Sequence, residues 1–487
     1  MDKINKNIVV SFATQYSELV IQFLSVLVLA RILSPAEIGT YSVAAFLMTL
    51  LHVFRDFGVA RYVVQVHTLT PEKIRSALGV AFILAWTVAL VLLGSSNVIA
   101  NLYQTPAIRE ILIIMSASFA ITPLGGLLTA IFRREMQLRK ILVIKLSSAL
   151  CHVSVAIFLA LEGFGAVSLA WANFAGILVF GIVATMLRSP GTPLLPRFTE
   201  VREILSFGSI SSLGSLANVA GANAPDVVIG KIINLAAAGY FSRGNGLVQL
   251  FKTLVVGSVL PLILPHFAQL RRENGDQTKP YYSAVEHLTA FAWPFFSVMA
   301  LLALPVVRTL YGPQWDASVP IVQLLCVAGA ISAVGTFASE VMVANGKIRD
   351  ITTAQVIGCA MRVSAILLAS SHGVAAMAAA LIAAECFSLF VVSHFLQAAT
   401  GIAFLPVIKS TRKSLVICAW SSVIPAGIGI TGATEAAASW LPTMAGLVGA
   451  AAGWIVGVIQ TNHPIKALLD LGYNRVVRAA AQAPSNE

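Results

Sequence analysis

Continuous apolar runs of about twenty residues recur along the whole chain, each closed by a few charged or turn-forming residues. A helix needs about 20 residues, at about 1.5 Å each, to cross the hydrocarbon core of a bilayer. The runs are unbroken rather than alternating, which disfavours a β-barrel, whose strands change polarity at every residue. Of the 487 residues, 57% are hydrophobic and 11% charged, where soluble chains carry about 25% charged residues. A length that would hold roughly three soluble domains therefore reads as one polytopic all-α membrane protein.

The runs predict fourteen spans, at about 8–31, 38–60, 77–98, 109–132, 141–161, 165–187, 206–230, 244–268, 286–308, 318–344, 352–371, 374–398, 414–432 and 441–460. Lysine and arginine test that count, because they concentrate in cytoplasmic loops. With fourteen spans, 24 of the 32 basic residues share the side of both termini, and five (Arg31, Arg109, Lys231, Arg243, Arg308) lie opposite. One extra or missing helix near the middle would scramble that split. Both termini are thus expected in the cytoplasm. The net charge of +11 reflects this topology rather than a nucleic-acid partner. The first run contains Glu18, has no A-x-A site and is too long for a signal-peptide core, so it reads as retained. The five cysteines, Cys151, Cys326, Cys359, Cys386 and Cys418, fall in apolar runs without C-x-x-C spacing, which suggests neither zinc nor a disulfide framework.

The chain echoes itself. Arg31-Ile32, Gly39 and Ser42 return 200 residues later as Lys231-Ile232, Gly239 and Ser242. At a shift of 208, Leu102-Tyr103 matches Leu310-Tyr311, and Gly165 and Ala170 match Gly373 and Ala378. A repeat of six spans preserves orientation, so the repeats are parallel, related about the membrane normal. The expected organisation is an N-lobe (1–187), a proline-bearing cytoplasmic linker (188–203) and a C-lobe (204–400). An accessory pair of spans with a cytoplasmic tail (401–487) completes it. Two such lobes around a central cavity suit alternating access by rocking.

Apart from charges near the span ends, which are counted with the loops, eight charged residues fall within the spans: Glu18, Arg55, Asp56, Asp226, Lys252, Glu340, Arg362 and Glu385. Each would cost about 2.5–3.5 kcal/mol at the centre of a lone helix, so they must face one another, water or the bundle interior. Five lie on spans one, two, seven and eight, the matching first pairs of the two lobes. Arg55 and Lys252, with His52 (which matches Lys252), and Arg31 and Lys231 near the mouth, suit a phosphate-bearing anion. Arginine offers a bidentate fork and lysine a point charge. Glu18, Asp56, Asp226 and Glu340 are candidates for a coupling proton or sodium ion; internal salt bridges are the alternative for the whole set. Arg362 and Glu385 read as a structural pair. Pro225, beside Asp226, removes a backbone donor and suggests a hinge. Phosphate-loop, H-E-x-x-H and G-x-S-x-G patterns are absent, and no metal site or cofactor beyond the coupling ion is called for.

The segment Ala30-Arg31-Ile32-Leu33-Ser34-Pro35-Ala36-Glu37-Ile38-Gly39-Thr40-Tyr41 resembles the opening signature of Wzx-type polysaccharide transporters. So do Phe57-Gly58 and Phe132-Arg133-Arg134-Glu135-Met136-Gln137-Leu138-Arg139. These transporters belong to the multidrug/oligosaccharidyl-lipid/polysaccharide flippase superfamily. The resemblance implies a bacterial inner-membrane flippase, not an enzyme. It would move undecaprenyl-diphosphate-linked oligosaccharide from the cytoplasmic to the periplasmic leaflet for exopolysaccharide, capsule or O-antigen assembly. Membrane lipids, a polymerase and a chain-length regulator are the implied partners. His52-Val53 stands where the lipid II branch carries adjacent arginines, which argues against that branch. Two rivals remain: a MATE-like drug/cation antiporter, which usually has twelve spans and a more acidic cavity, and a membrane glycan ligase or polymerase, which usually needs a large periplasmic loop.

Overall fold

A computed structural model describes residues 2–56, 59–198, 201–430 and 440–466. Every regular element among them is a helix. Phe57-Gly58 of the signature and the tail residues Arg475 and Arg478 lie outside the described residues. The chain forms two compact units, 1–242 and 243–487. The division falls inside a helix that follows the proline-bearing linker, because the helix after that linker packs on the first unit.

The first unit contains α1 (Asp2–Ile32), α2 (Pro35–Asp56), α3 (Val59–Gln65), α4 (Pro71–Tyr103), α5 (Pro106–Arg134), α6 (Leu138–Leu161), α7 (Ala166–Met186), α8 (Val201–Ile232) and the start of α9 (Leu235–Phe251). Local chemistry sets the starts. Ser34 and Glu37 form a capping box on α2: the Ser34 N–H donates to Glu37 Oε2 at 2.7 Å, and the Glu37 N–H donates to Ser34 Oγ at 3.3 Å. Thr70 caps α4 ahead of Pro71, whose missing N–H costs nothing in a first turn. The interior is apolar, with Ile108, Met115 and Phe119 at one end and Leu78, Phe132 and Ile144 at the other, all buried. Arg134 closes the end of α3 by donating to the carbonyls of Val63, Val66 and His67 at 2.6–3.1 Å.

The second unit holds the rest of α9, a π-helical turn (Lys252–Val256), α10 (Gly257–Arg272), α11 (Thr278–Leu301), α12 (Ala303–Leu310) and a 3-10 turn (Pro313–Ser318). Then come α13 (Val319–Gly335), α14 (Ala338–Ala344), α15 (Ile348–Ala369), α16 (Val374–Thr400), α17 (Phe404–Ser410), α18 (Arg412–Ile430) and α19 (Trp440–Gln460). The last two helices, the expected accessory pair, are held tightly. Gly449, Gly453 and Gly457 recur at intervals of four on α19. A Cβ on them would come within 2.7 Å of Ile424 Cβ, 2.7 Å of the Trp420 carbonyl carbon and 2.8 Å of Ile417 Cα. Small residues permit that backbone approach in lipid. Polar rungs join α18 to α11: Thr289 Oγ1 and Ser414 Oγ lie 2.9 Å apart, and Ser297 Oγ and Ser422 Oγ 2.7 Å. Both rungs join residues 125 apart in sequence, so the two helices run parallel, as odd-numbered spans must.

Helices stand at all fourteen expected positions, but twelve of those described are long and apolar enough to cross a membrane. The exceptions are α8 and α18. Part of α8 lies outside the residues whose side chains are described, and the described part of α18 is short and begins Arg412-Lys413. A count of fourteen is therefore not established.

Candidate functional site: polar faces on two membrane helices

The sequence echo has a physical basis. Ser34 caps α2, and its counterpart Asn234 caps α9, its Oδ1 accepting the Ala237 N–H at 2.7 Å. A Cβ on Gly39 would lie 2.7 Å from the carbonyl carbon of Leu235, and a Cβ on Gly239 would lie 2.8 Å from that of Pro35. Leu235 is itself the counterpart of Pro35, so each segment offers the other the same pair of groups. This is the self-complementary contact of a two-fold axis, and it requires glycine twice. Three residues further along, Ser42 Oγ and Ser242 Oγ are 2.8 Å apart.

From that junction a polar face runs down each helix with a spacing of three, four and three residues, which keeps side chains on one side. On α2 it reads Ser42, Ala45, Thr49, His52, with Arg55 at its edge; on α9 it reads Ser242, Asn245, Gln249, Lys252. His52 and Arg55 both flank the buried Phe119: the His52 and Phe119 ring centroids are 4.8 Å apart, and Arg55 Cζ lies 5.7 Å from the Phe119 centroid. Arg55 also lines a cavity of about 80 Å³ with Thr122, Pro123 and Gly126. A water needs about 10–15 Å³ on this measure, so several fit beside the guanidinium.

On α9, Gln249 Nε2 donates to Asn245 Oδ1 at 3.4 Å. Lys252 is exposed and opens the π-helical turn, where the Gly257 N–H bonds the Lys252 carbonyl five residues back. Pro261 and Pro265 follow in α10. Prolines cannot donate to the preceding turn, and a widened turn beside them is a common helix irregularity at working sites. Lys252 lies within electrostatic reach of Arg362 and Glu385. Those two are bonded to each other: Arg362 Nε donates to Glu385 Oε1 at 2.8 Å.

The expected acidic residues separate. Glu18 accepts from Lys145 of α6 at 2.7 Å, so its charge is answered by a basic residue at the start of the fifth expected span, one counted with the cytoplasmic side. The side chain of Asp56 lies outside the described residues. Asp226, next to Pro225 in α8, is 8% exposed, and its Oδ1 is buried without a hydrogen-bond partner. Pro225 does not end α8, which runs on to Ile232. Glu340 is half-buried in α14. Lys231 donates to the Leu102 carbonyl at the end of α4, which gives it a capping role there. Arg31 is exposed beside the start of α2.

Sequence reasoning missed two groups. Arg243 lies over the Trp315 ring, its Cζ 5.9 Å from the centroid; nothing in a lone arginine just ahead of an expected span signals that contact. Glu286 of α11 meets Lys413 at 4.0 Å and the buried His463 at 3.6 Å. An acid at the edge of span nine and a basic start to span thirteen were the available signs.

The chain matches the polysaccharide biosynthesis protein family over residues 28–320. It is 27% identical to the succinoglycan biosynthesis transport protein ExoT of Rhizobium meliloti (strain 1021), over 65% of this chain and 64% of that one. It is 21% identical to the lipopolysaccharide biosynthesis protein WzxC of Escherichia coli (strain K12), over 66% of each. The chain thus spans just under two thirds of the length of these relatives. Its fold is that of the lipid II flippase MurJ in an inward closed conformation (TM-score 0.72, 14% identity, 93% of this chain and 99% of that one). The inward-facing MATE transporter of the MOP superfamily shares it (TM-score 0.67, 13% identity, 79% of this chain and 94% of that one). This chain belongs to the polysaccharide biosynthesis protein family.

Proposed function

We propose that this protein carries undecaprenyl-diphosphate-linked oligosaccharide units across a bacterial inner membrane, from the cytoplasmic to the periplasmic leaflet, for exopolysaccharide, capsule or O-antigen assembly. The observation that carries the reading is the pair of matching polar faces on α2 and α9, ending in His52 and Lys252, with Arg55 beside the first. Moving a lipid-linked sugar means shielding a diphosphate and many hydroxyls from hydrocarbon, where each unsatisfied polar group costs several kcal/mol. Arg55, His52 and Lys252 are the groups we assign to the diphosphate. The relatives' names, succinoglycan transport and lipopolysaccharide biosynthesis, support a polysaccharide precursor as cargo. An exporter of organic cations would set these basic groups against a like-charged substrate, which costs binding energy.

On this reading transport proceeds by alternating access. The junction of Gly39, Ser42, Gly239 and Ser242 is the periplasmic end of the path, and both termini are cytoplasmic. Energy comes from a proton or sodium ion taken up by Asp226 or Glu340, because a site with equal affinity in both states shifts nothing. A polymerase and a chain-length regulator would act on the product outside.

The test is a deletion strain in which lipid-linked intermediates are labelled and assigned to a leaflet. Intermediates held inside, released by the wild-type chain but not by Arg55→Gln or Lys252→Gln, support the reading. Normal arrival in the periplasm without the protein would refute it.

A further inference from the structure

We infer that Asn245 and Gln249 of α9 are the side chains that recognise the sugar part of the cargo, one and two turns beyond the diphosphate ligand Lys252. This rests on the flippase reading above and names the groups that would decide which glycan is carried.

Carboxamides are costly in a membrane helix and usually stay because they bond a neighbouring helix. These two do not. Their one hydrogen bond to described residues is to each other, along the same helix, at 3.4 Å. Neither has a polar atom that is both sealed from solvent and unsatisfied. The Asn245 amide donors, the Gln249 carbonyl and a second Gln249 N–H therefore remain reachable. Nor does the repeat fold require amides here, since the matching positions of α2 hold Ala45 and Thr49. The repeats agree in a basic group at the fourth position of the face, His52 or Lys252, and differ in the amides.

The chemistry fits hydroxyls. A sugar ring presents groups that donate and accept at once, and a carboxamide offers both capacities from one rigid plane. A phosphate, which only accepts, would leave the amide carbonyl opposed. Geometry fits as well: Gln249 lies about 4.5 Å and Asn245 about 10.5 Å along the helix from Lys252. With the diphosphate at Lys252, the first sugar would reach Gln249 and the next Asn245. A site built on hydrogen bonds to hydroxyls discriminates sharply against ligands lacking them, because its own polar groups are then left unpaired.

The experiment measures binding to the purified full-length protein in detergent, with three probes: undecaprenyl diphosphate, and the same lipid bearing one hexose or a disaccharide. The variants are Gln249→Met and Asn245→Leu, near-isosteric and apolar, with unliganded melting temperature as the control for folding. Wild type should bind the disaccharide lipid at least about tenfold more tightly than the bare diphosphate, from two or more added hydrogen bonds. Gln249→Met should lose the gain for both sugar-bearing lipids, and Asn245→Leu only that for the disaccharide. Both should leave the bare diphosphate unchanged, whereas Lys252→Gln should weaken all three probes equally. An unaltered preference in the amide variants, or equal loss for all probes, would overturn the assignment while leaving the flippase reading standing. If wild type binds none of the three lipids, the flippase reading fails, and this one with it.

Discussion

Replacing Gly39 with alanine tests the junction at the outer ends of α2 and α9. The new methyl would sit 2.7 Å from the Leu235 carbonyl carbon, where ordinary contact begins near 3.4 Å. The two helices must then part by at least about 0.7 Å at that point. The Ser42–Ser242 hydrogen bond, now 2.8 Å, would stretch beyond the range in which O–H···O bonds hold, about 2.5–3.0 Å. Its loss costs about 1 kcal/mol, and overpacking a close contact costs about 1–3 kcal/mol. Alanine's better helix propensity offsets about 1 kcal/mol. The net bias against the closed junction is about 1–3 kcal/mol, or roughly 5- to 150-fold. The assay is disulfide formation between Ser42→Cys and Ser242→Cys in a chain whose five native cysteines are replaced by serine. Gly39→Ala should slow cross-linking by at least about fivefold, while Gly94→Ala, where a methyl meets nothing within 4 Å, should not. Equal rates in all three chains would show that the junction is not as close as described and refute the reasoning.

Three further outcomes are expected. Glu18→Gln or Lys145→Met alone strands a partly hydrated ion in the membrane and should lower stability by about 1–3 kcal/mol. The double variant should recover most of that in thermal melts; additive losses would contradict the pairing. Gly453→Leu should unseat α19 from α18, because even a Cβ there comes within 2.7 Å of the Trp420 carbonyl carbon, and should expose the helix pair to limited proteolysis that Gly427→Leu does not provoke. His463, beyond the end of α19, has its pKa pushed down to about 4 by burial, with His287 and Lys413 adding repulsion. Since the unfolded segment protonates first, near the ordinary 6.5, stability should be constant above that pH. It should fall by at most about 3 kcal/mol as pH drops from about 6.5 to 4. His463→Gln should flatten that slope in melts recorded across the range, and an unchanged slope would exclude this histidine as its source.

Much of the architecture was legible because lipid leaves a chain few choices. Backbone groups must be satisfied within each segment, so apolar runs of sufficient length become helices. The repeat at a shift of 200 was equally visible, since it is a pattern of residue type. The site was less so. A charged residue inside an apolar run reveals that it needs company, not which company. Glu18 looked like a candidate for the coupling ion, yet Lys145, counted with a loop, reaches it from α6. Lys231, read as part of a phosphate mouth, also donates to the Leu102 carbonyl at the end of α4, a contact that residue type does not announce. The polar face of α9 escaped notice because Asn245 and Gln249 carry no charge; only their spacing from Ser242 and Lys252 gives them away. The π-helical turn at Lys252 arises from hydrogen-bond register, which residue type alone does not encode.

The central claim of the proposed function is that the polar face of α2 and the polar face of α9 each meet water and each take part in carrying a lipid-linked headgroup. The most direct measurement is labelling of Thr49→Cys and Gln249→Cys, in the cysteine-free chain, by a membrane-impermeant thiol reagent. We expect both to react as fast as a loop position such as Gln137→Cys, and undecaprenyl-diphosphate-linked sugar to protect both. Leu90→Cys, on an exposed face of α4 turned to lipid, should stay unlabelled. If the two polar-face positions resist the reagent as that lipid-facing control does, from either side of the membrane, the account is wrong.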